Sequence, residues 1–271
     1  MEMNKNVVGA RCNVPLLEIK NCSLSFGGIK ALTSFSASLH AGELLGVIGP
    51  NGAGKTTLFN IMTGVYPPDQ GEVLLEENKI QKLLPYEINR LGVARTFQNI
   101  RLFQNLSVEE NVWVAYHQHL KSSLMSATFR FKKALREEEK RKKEAEDLLK
   151  LFGLSDQKTS LAKNLSYGDQ RRLEIVRALA TEPKLLLLDE PAAGMNLTEK
   201  NELTTLIRRI QSEYHLAILL IEHDMGVVMN LCPRIIVMNY GEIIAEGNPQ
   251  QIQTHPKVIE AYLGKKNVTT N

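Results

Sequence analysis

Two stretches of the chain alternate between apolar and polar residues, Leu17-Glu18-Ile19-Lys20 and Phe35-Ser36-Ala37-Ser38-Leu39. A period of two sends every second side chain to one face, so both are predicted as strands buried on one side. Three other runs are apolar almost throughout: Leu44–Ile48, Lys184–Asp189 with its four consecutive leucines, and Leu216–Ile221. Such runs are the mark of strands buried on both faces, as in a parallel sheet covered by helices. The segment Thr198–Glu213 between the last two reads as helix, and strand, helix, strand at that spacing is a βαβ unit. A Pro67-Pro68-Asp69 turn leads into a strand over Gly71–Leu75, and Arg234–Met238 with Glu242–Ala245 read as a closing hairpin.

The middle of the chain has another character. From Val108 to Leu151 there is no proline or glycine and helix formers dominate. Within it, Arg130–Asp147 carries eight basic and six acidic residues. Glu137/Arg141, Glu138/Lys142 and Glu139/Lys143 are i,i+4 pairs in the favourable order, so the run reads as a solvated helix face. Nucleic-acid binding would call for aromatics interleaved with the charges, and only Phe129 and Phe131 are near. The overall charge agrees: 33 basic and 30 acidic residues leave +3, too balanced to imply a nucleic-acid partner.

With 43% hydrophobic and 23% charged residues, the 271-residue chain has ordinary globular composition. Its longest apolar runs are about a third of the roughly 20 residues that a membrane-spanning helix needs. The first fifteen residues lack the apolar core of a secretory signal. Cys12, Cys22 and Cys232 form neither a disulfide framework nor a zinc spacing, which suits a reducing compartment.

Candidate chemistry begins where the first doubly buried strand ends. Gly49-Pro50-Asn51-Gly52-Ala53-Gly54-Lys55-Thr56 matches G-x-x-x-x-G-K-[ST] at every position, with a strand before it and a helical Thr57–Met62 after it. Glycines let successive backbone N–H groups curl around an anion, and the helix N-terminus adds about half a positive charge. Lys55 is placed to reach the β- and γ-phosphates of a nucleoside triphosphate and Thr56 to ligate Mg²⁺. No N-K-x-D guanine motif occurs, since Asn78-Lys79-Ile80-Gln81 fails at its last position. Leu188-Asp189-Glu190 closes the four-leucine strand. Beside a phosphate loop, Asp189 suits an Mg²⁺ ligand, directly or through water, and Glu190 a base for attacking water. Ser166 and Asp169 have the spacing of a capping box at the start of a helix through Arg171–Leu179.

With those residues in hand, the chain resembles the ATP-binding cassette proteins. Leu165, Ser166 and Gly168 match the L-S-G-G-Q signature, with Tyr167 and Asp169 as departures. Phe26 is similar to the aromatic that stacks on adenine, although a lone Phe also suits a core. Gln98 in Thr96-Phe97-Gln98-Asn99 resembles the Q-loop glutamine that senses Mg²⁺ and lytic water, and His223 the switch histidine at the γ-phosphate. Ala193-Gly194-Met195-Asn196 takes the place of the D-loop.

The resemblance implies an α/β fold: a P-loop NTPase (RecA-like) core with an antiparallel β-subdomain and an inserted α-helical subdomain. It implies one cassette over 15–264, with a core lobe of 15–97 and 180–264, a helical signature lobe of 98–179, and mobile termini at 1–14 and 265–271. ATP and Mg²⁺ are the implied cofactors. Phe26, Gly49 to Thr57 and Asp189 would hold the nucleotide, with Ser166 and Gly168 acting on a nucleotide held by a second cassette subunit. Thr56, Gln98 and Asp189 would serve the metal, and Glu190, His223 and Gln98 catalysis.

A narrower likeness is to the ATPases of branched-chain amino-acid uptake. It rests on Gly92–Phe103, on Tyr167-Gly168 with Gln170–Ile175, on Pro191–Asn196, on some thirty extra residues around His117–Glu146 and on the ending Val258–Gly264. The partners it implies are a second ATPase subunit, two transmembrane permeases and, indirectly, a periplasmic solute-binding protein, on the cytoplasmic face of a bacterial inner membrane. Lipopolysaccharide-export ATPases and urea or amide importers share parts of the pattern, and a non-transport cassette acting on DNA or ribosomes is a further alternative.

Overall fold

The computed structural model describes residues 14–116 and 131–263. The expected mobility of the termini, and the 117–130 part of the expected insertion, fall outside the described residues.

Two sheets organise the chain. The first is antiparallel, in the order β2 (Ile29–Leu39), β1 (Leu17–Phe26), β4 (Gln70–Leu75), β5 (Asn78–Lys79). The second has six strands. Its order is β10 (Glu242–Gly247), β9 (Arg234–Asn239), β3 (Leu44–Ile48), β8 (Ala217–Ile221), β7 (Leu185–Asp189), β6 (Val93–Arg95). All neighbours in it are parallel except β10, which returns antiparallel to β9.

The apolar runs explain why the second sheet is central. Every residue of β3, β7 and β8 is buried. Alternate side chains go to opposite faces. Leu44, Ile48, Leu186, Leu188, Ile218 and Leu220 enter one core, and Leu45, Val47, Leu185, Leu187, Leu219 and Ile221 the other. The first core is closed by α3 (Val108–Tyr116), α4 (Phe131–Leu151), α5 (Tyr167–Leu179), α6 (Leu197–Tyr214) and α7 (Met225–Leu231). The second is closed by α1 (Lys55–Met62) and by the inward faces of the antiparallel sheet, including Leu17, Ile19, Phe35 and Val73.

The long charged segment shows how composition becomes placement. Ala145, Leu148, Leu149 and Phe152 recur at helical spacing and are buried, while most of the charged residues around them are exposed. Lys140 pairs with Glu144 at i,i+4. Arg141 turns to Glu144 and to Glu182 beyond α5, which ties α4 down at that point. The expected face is therefore solvated, but its best-held cation serves a tertiary contact.

Several short elements have no signal in the pattern: α2 (Pro85–Arg90), β6 and α7, followed at the C-terminal end by α8 (Pro249–Thr254) and α9 (Pro256–Leu263). Three-residue β6 is the most consequential, because it completes the parallel sheet and delivers residues 95–98 to its edge. Phe152 is 1% exposed where α4 meets the first core. Phe152→Ala is expected to cost about 3–5 kcal/mol, measured as a lower urea midpoint at unchanged slope.

Candidate nucleotide site

Parallel strands in register end level with one another. Val47 and Asp189 both sit opposite Ile221, and Arg95 opposite Leu187. The residues that follow these strands consequently gather along one edge, where open α/β sheets bind ligands.

After β3 the chain forms the predicted phosphate loop, Gly49 to Gly54, and enters α1 with Lys55, Thr56 and Thr57 in its first turn. Glycine is required at its ends by close packing. A Cβ on Gly49 would lie 2.2 Å from the Met238 carbonyl oxygen, and one on Gly54 2.4 Å from that of Ala31. Gly52 has open space around it but a φ of +79°, which L side chains rarely adopt. Lys55 folds its ammonium across the loop, donating to the Gly49 carbonyl at 2.6 Å and to that of Pro50 at 3.0 Å. Burial pulls the Lys55 ammonium below its usual range, opposed by the nearby charges of Glu190 and Asp189. A glycine-lined backbone curl with a buried cation and a helix N-terminus fits a nucleotide's phosphates.

Asp189 and Glu190 diverge as the two roles require. Asp189 is 4% exposed and gives its Oδ2 to the Arg95 guanidinium at 2.9 Å. Burial raises its carboxyl above the usual range and Arg95 works against that. Glu190 follows in the left-handed region at φ 48°, its N–H bonded to the Ile221 carbonyl. That backbone turn is unusual for a side chain other than glycine. It brings Glu190 Oε2 to 3.0 Å from Gln98 Nε2, which donates, and 3.5 Å from His223 Nδ1. Three residues expected from separate motifs thus meet on one carboxylate oxygen.

The signature residues keep local company. Ser166 caps α5, its Oγ accepting from the Asp169 N–H at 3.1 Å and donating to Asp169 Oδ2 at 2.9 Å. The expected capping box is therefore half made, because the Asp169 carboxylate takes the serine hydroxyl and the Gln157 amide in place of the Ser166 N–H. Gly168 is buried beside Glu199. Tyr167 stands over the D-loop: a Cβ on Gly194 would lie 3.1 Å from its ring. Asn196 caps α6 in a complete box with Glu199. Phe26 is exposed on β1, edge-on to Tyr66 at 5.2 Å between centroids, which makes it an available ring and not a core residue.

Four buried charged residues that the sequence pattern does not reveal hold these loops. Arg95 is one. Arg171, 2% exposed on α5, donates to the Phe97 carbonyl at 2.6 Å, to the Gln98 carbonyl, and to the Tyr167 hydroxyl. Its neighbour Glu174 accepts from the N–H groups of Phe97 and Arg101. Burial raises the Glu174 carboxyl, and those amides and Arg171 oppose the rise. Glu222, fully buried, accepts from the N–H groups of Ala192, His223 and Asp224 and so joins the histidine to the D-loop side. A signal that could have found Glu222 is its place directly after the Leu216–Ile221 run; Arg171 and Glu174 look like ordinary polar positions of a helix.

The Arg171–Glu174 pair is separated by 3.2 Å in a site closed to water. Arg171→Ala leaves a buried carboxylate unpaired and is expected to cost about 3–5 kcal/mol. Glu174→Gln, which keeps an acceptor for the amides, should cost about 1–3 kcal/mol. Urea unfolding of the two variants checks the ranking.

Comparison with known proteins agrees with this geometry. Residues 32–193 match the model of the ABC transporter family, and residues 242–266 that of the branched-chain amino acid ATP-binding cassette transporter family. The high-affinity branched-chain amino acid transport ATP-binding protein LivG of Escherichia coli K12 is 45% identical over 93% of this chain and 98% of its own. MJ1267, an ATP-binding cassette of an ABC transporter solved in its ADP conformation, superposes with a TM-score of 0.80 at 33% identity, over 93% of this chain and all of that one. The cassette MJ0796, solved as a dimer in a post-hydrolysis state with ADP and Pi, gives 0.72 at 26% identity, over 86% of this chain and 98% of that one. A glycine cradle at the end of a buried strand, a carboxylate shared by three motifs and this likeness over most of the chain have one meaning: the chain belongs to the ABC transporter family, as a nucleotide-binding, ATP-hydrolysing cassette.

Proposed function

We propose that this cassette powers a bacterial importer of branched-chain amino acids, as a peripheral subunit on the cytoplasmic face of the inner membrane. The observation that carries the catalytic part is the Glu190 oxygen that receives Gln98 and faces His223. The solute class rests on the relatives: 93% of the chain is similar to a branched-chain amino acid transport ATP-binding protein, and its C-terminal segment matches a family of that name. Among the described residues no helix is long and apolar enough to cross a membrane, so passage of solute falls to other subunits.

In this reading Phe26 stacks on adenine, and the Gly49–Gly54 amides with Lys55 and Thr57 bind the phosphates. Thr56 and Asp189 would hold Mg²⁺, with Gln98 close by, and the ion would supply charge neutralisation on the phosphates. Among the described residues no group of three or more acidic, histidine or cysteine side chains could cage a metal. One buried carboxylate and one hydroxyl are the donor set of an Mg²⁺ that keeps waters and phosphate oxygens as its other ligands. Gln98 orients a water and Glu190 accepts its proton as the water oxygen bonds to the γ-phosphorus. The bond to the bridging oxygen breaks, ADP departs, and His223 steadies the γ-phosphate oxygens.

Ser166 and Gly168, at the start of α5, act on the nucleotide of a second subunit; that a similar cassette was solved as a dimer supports the pairing of two subunits. Both belong to the helical signature lobe of this reading. Beside it a groove of about 350 Å³ is lined by Phe97, Arg101, Phe103, Val114, Ala115 and Arg177, with the Phe103 ring and Val114 exposed. An apolar floor ringed by arginines suits a cytoplasmic helix from one permease subunit, the second cassette serving the other permease, and the two permeases receive solute from a periplasmic binding protein.

Purification from membranes should bring down two permeases, and the reconstituted complex should hydrolyse ATP faster when leucine and its binding protein are supplied. Stimulation by lipopolysaccharide and by no amino acid would assign the chain to export. Glu190→Gln should keep ATP affinity within about threefold while turnover falls at least about 100-fold, the lower range for loss of a general base. Asp169 puts a negative charge on the hydroxyl that must meet the partner's γ-phosphate. Asp169→Gln in a Glu190→Gln background should therefore lower the ATP concentration for dimerisation about fivefold, from about 1 kcal/mol of exposed repulsion, as followed by light scattering.

A further inference from the structure

Arg95 is a residue for which the helix after the phosphate loop, the Q-loop and the strand bearing Asp189 are all neighbours. It ends β6, the outermost parallel strand, and its side chain is 6% exposed. One nitrogen, Nη2, donates to Asp189 Oδ2 at 2.9 Å. The other, Nη1, donates to Asn60 Oδ1 at 2.8 Å and to Thr63 Oγ1 at 3.3 Å, both at the C-terminal end of α1. The guanidinium carbon lies 5.2 Å from the Phe59 ring centroid and 5.0 Å from that of Phe97. Asn60 and Phe59 belong to the helix whose first turn is Lys55-Thr56-Thr57.

A carboxylate that must meet a metal needs a set orientation as well as a charge, since a misplaced first ligand loses affinity as surely as a missing one. A planar guanidinium with separate nitrogens for two partners can transmit position from one element to another, which a lysine ammonium does poorly. Asp189 Oδ2 is engaged by Arg95, which leaves Oδ1 for another ligand. The anchor of that guanidinium is the same helix that presents the Thr56 hydroxyl.

We propose that Arg95 is a positioning residue for the metal of the nucleotide: it fixes the Asp189 carboxylate relative to α1, so that Asp189 and Thr56 present a matched pair of oxygens to Mg²⁺. The inference rests on the reading of Asp189 and Thr56 as Mg²⁺ ligands given above. It gives Arg95 no contact with the nucleotide itself. It also sets a sign, because an arginine that merely occupied the carboxylate would compete with the metal, and its loss would then ease Mg²⁺ binding.

The test uses the full-length chain with a fluorescent ATP analogue, titrated with Mg²⁺ and, in parallel, with Mn²⁺ read by electron paramagnetic resonance. Arg95→Met should raise the half-saturating metal concentration at least tenfold, while affinity for the analogue in EDTA stays within twofold of wild type. Arg95→Lys, which keeps the charge and one hydrogen bond, should raise it about threefold and so rescue in part. Should Arg95→Met fail to fold, Arg95→Lys carries the test by the same measure. An unchanged or lowered metal midpoint in a folded Arg95 variant overturns the proposal, and so does an equal loss of affinity in EDTA. Asp189→Asn separates the two levels: if its metal midpoint equals that of wild type, Asp189 is no ligand and the underlying reading falls, not the role of Arg95 alone.

Discussion

Hydrogen bonding between parallel strands that water cannot reach from either face is the constraint on which this molecule rests. Because β3, β8 and β7 are paired in register and sealed on both sides, their ends stand level and cannot slip singly. Shifting one strand by a residue would send every leucine it carries to the opposite core. The phosphate loop, the Asp189-Glu190 turn and the Glu222-His223 turn follow those ends directly. Their relative positions are therefore set by two hydrophobic cores that have no chemistry of their own.

A level edge leaves the loops themselves to be held, and here the chain uses buried charge. The N–H groups of Phe97, Arg101, Ala192, His223 and Asp224 and the carbonyls of Phe97 and Gln98 are taken up by side chains and not by a strand or helix, and polar backbone buried without partners is costly. Arg171, Glu174 and Glu222 supply those partners from inside the cores. Since Arg171 and Glu174 sit on the helix that begins at Ser166, the signature end of the molecule and the loop of Gln98 share one support. A motion of α5 has to carry that loop with it or break bonds that water cannot replace.

The contrast with the sequence pattern is instructive. The doubly buried strands could be read from runs of leucine and isoleucine, and the phosphate loop from glycine spacing, because both signals are local. Gln98, Glu190 and His223 could be named from their motifs, but nothing in their spacing told that one oxygen of Glu190 serves the other two. Arg95 and Arg171 were illegible for a related reason. An arginine on a strand edge or a helix reads as solvated until the partner is known, and Asp189 lies 94 residues from Arg95. The three-residue β6 is too short to show a period at all. At Ser166 the local pattern misled in a small way, since a spacing that permits a capping box does not decide which donor the carboxylate takes.

The ring of Tyr167 resting on Gly194 has a consequence for how such a cassette can change over time. The common signature has glycine at the position of Tyr167, and the glycine at 194 is favoured here by its φ of +75° and because a Cβ would sit 3.1 Å from that ring and make it shift. The two residues are fitted to one another across the signature and the D-loop. Restoring glycine at 167 would remove the surface against which the D-loop lies, and the hydroxyl that Arg171 donates to. A side chain at 194 would push the ring away. Signature segments exchanged between cassettes of different subfamilies should therefore be judged by the loop they land on, because a segment that matches the commoner spelling more closely can fit this molecule less well.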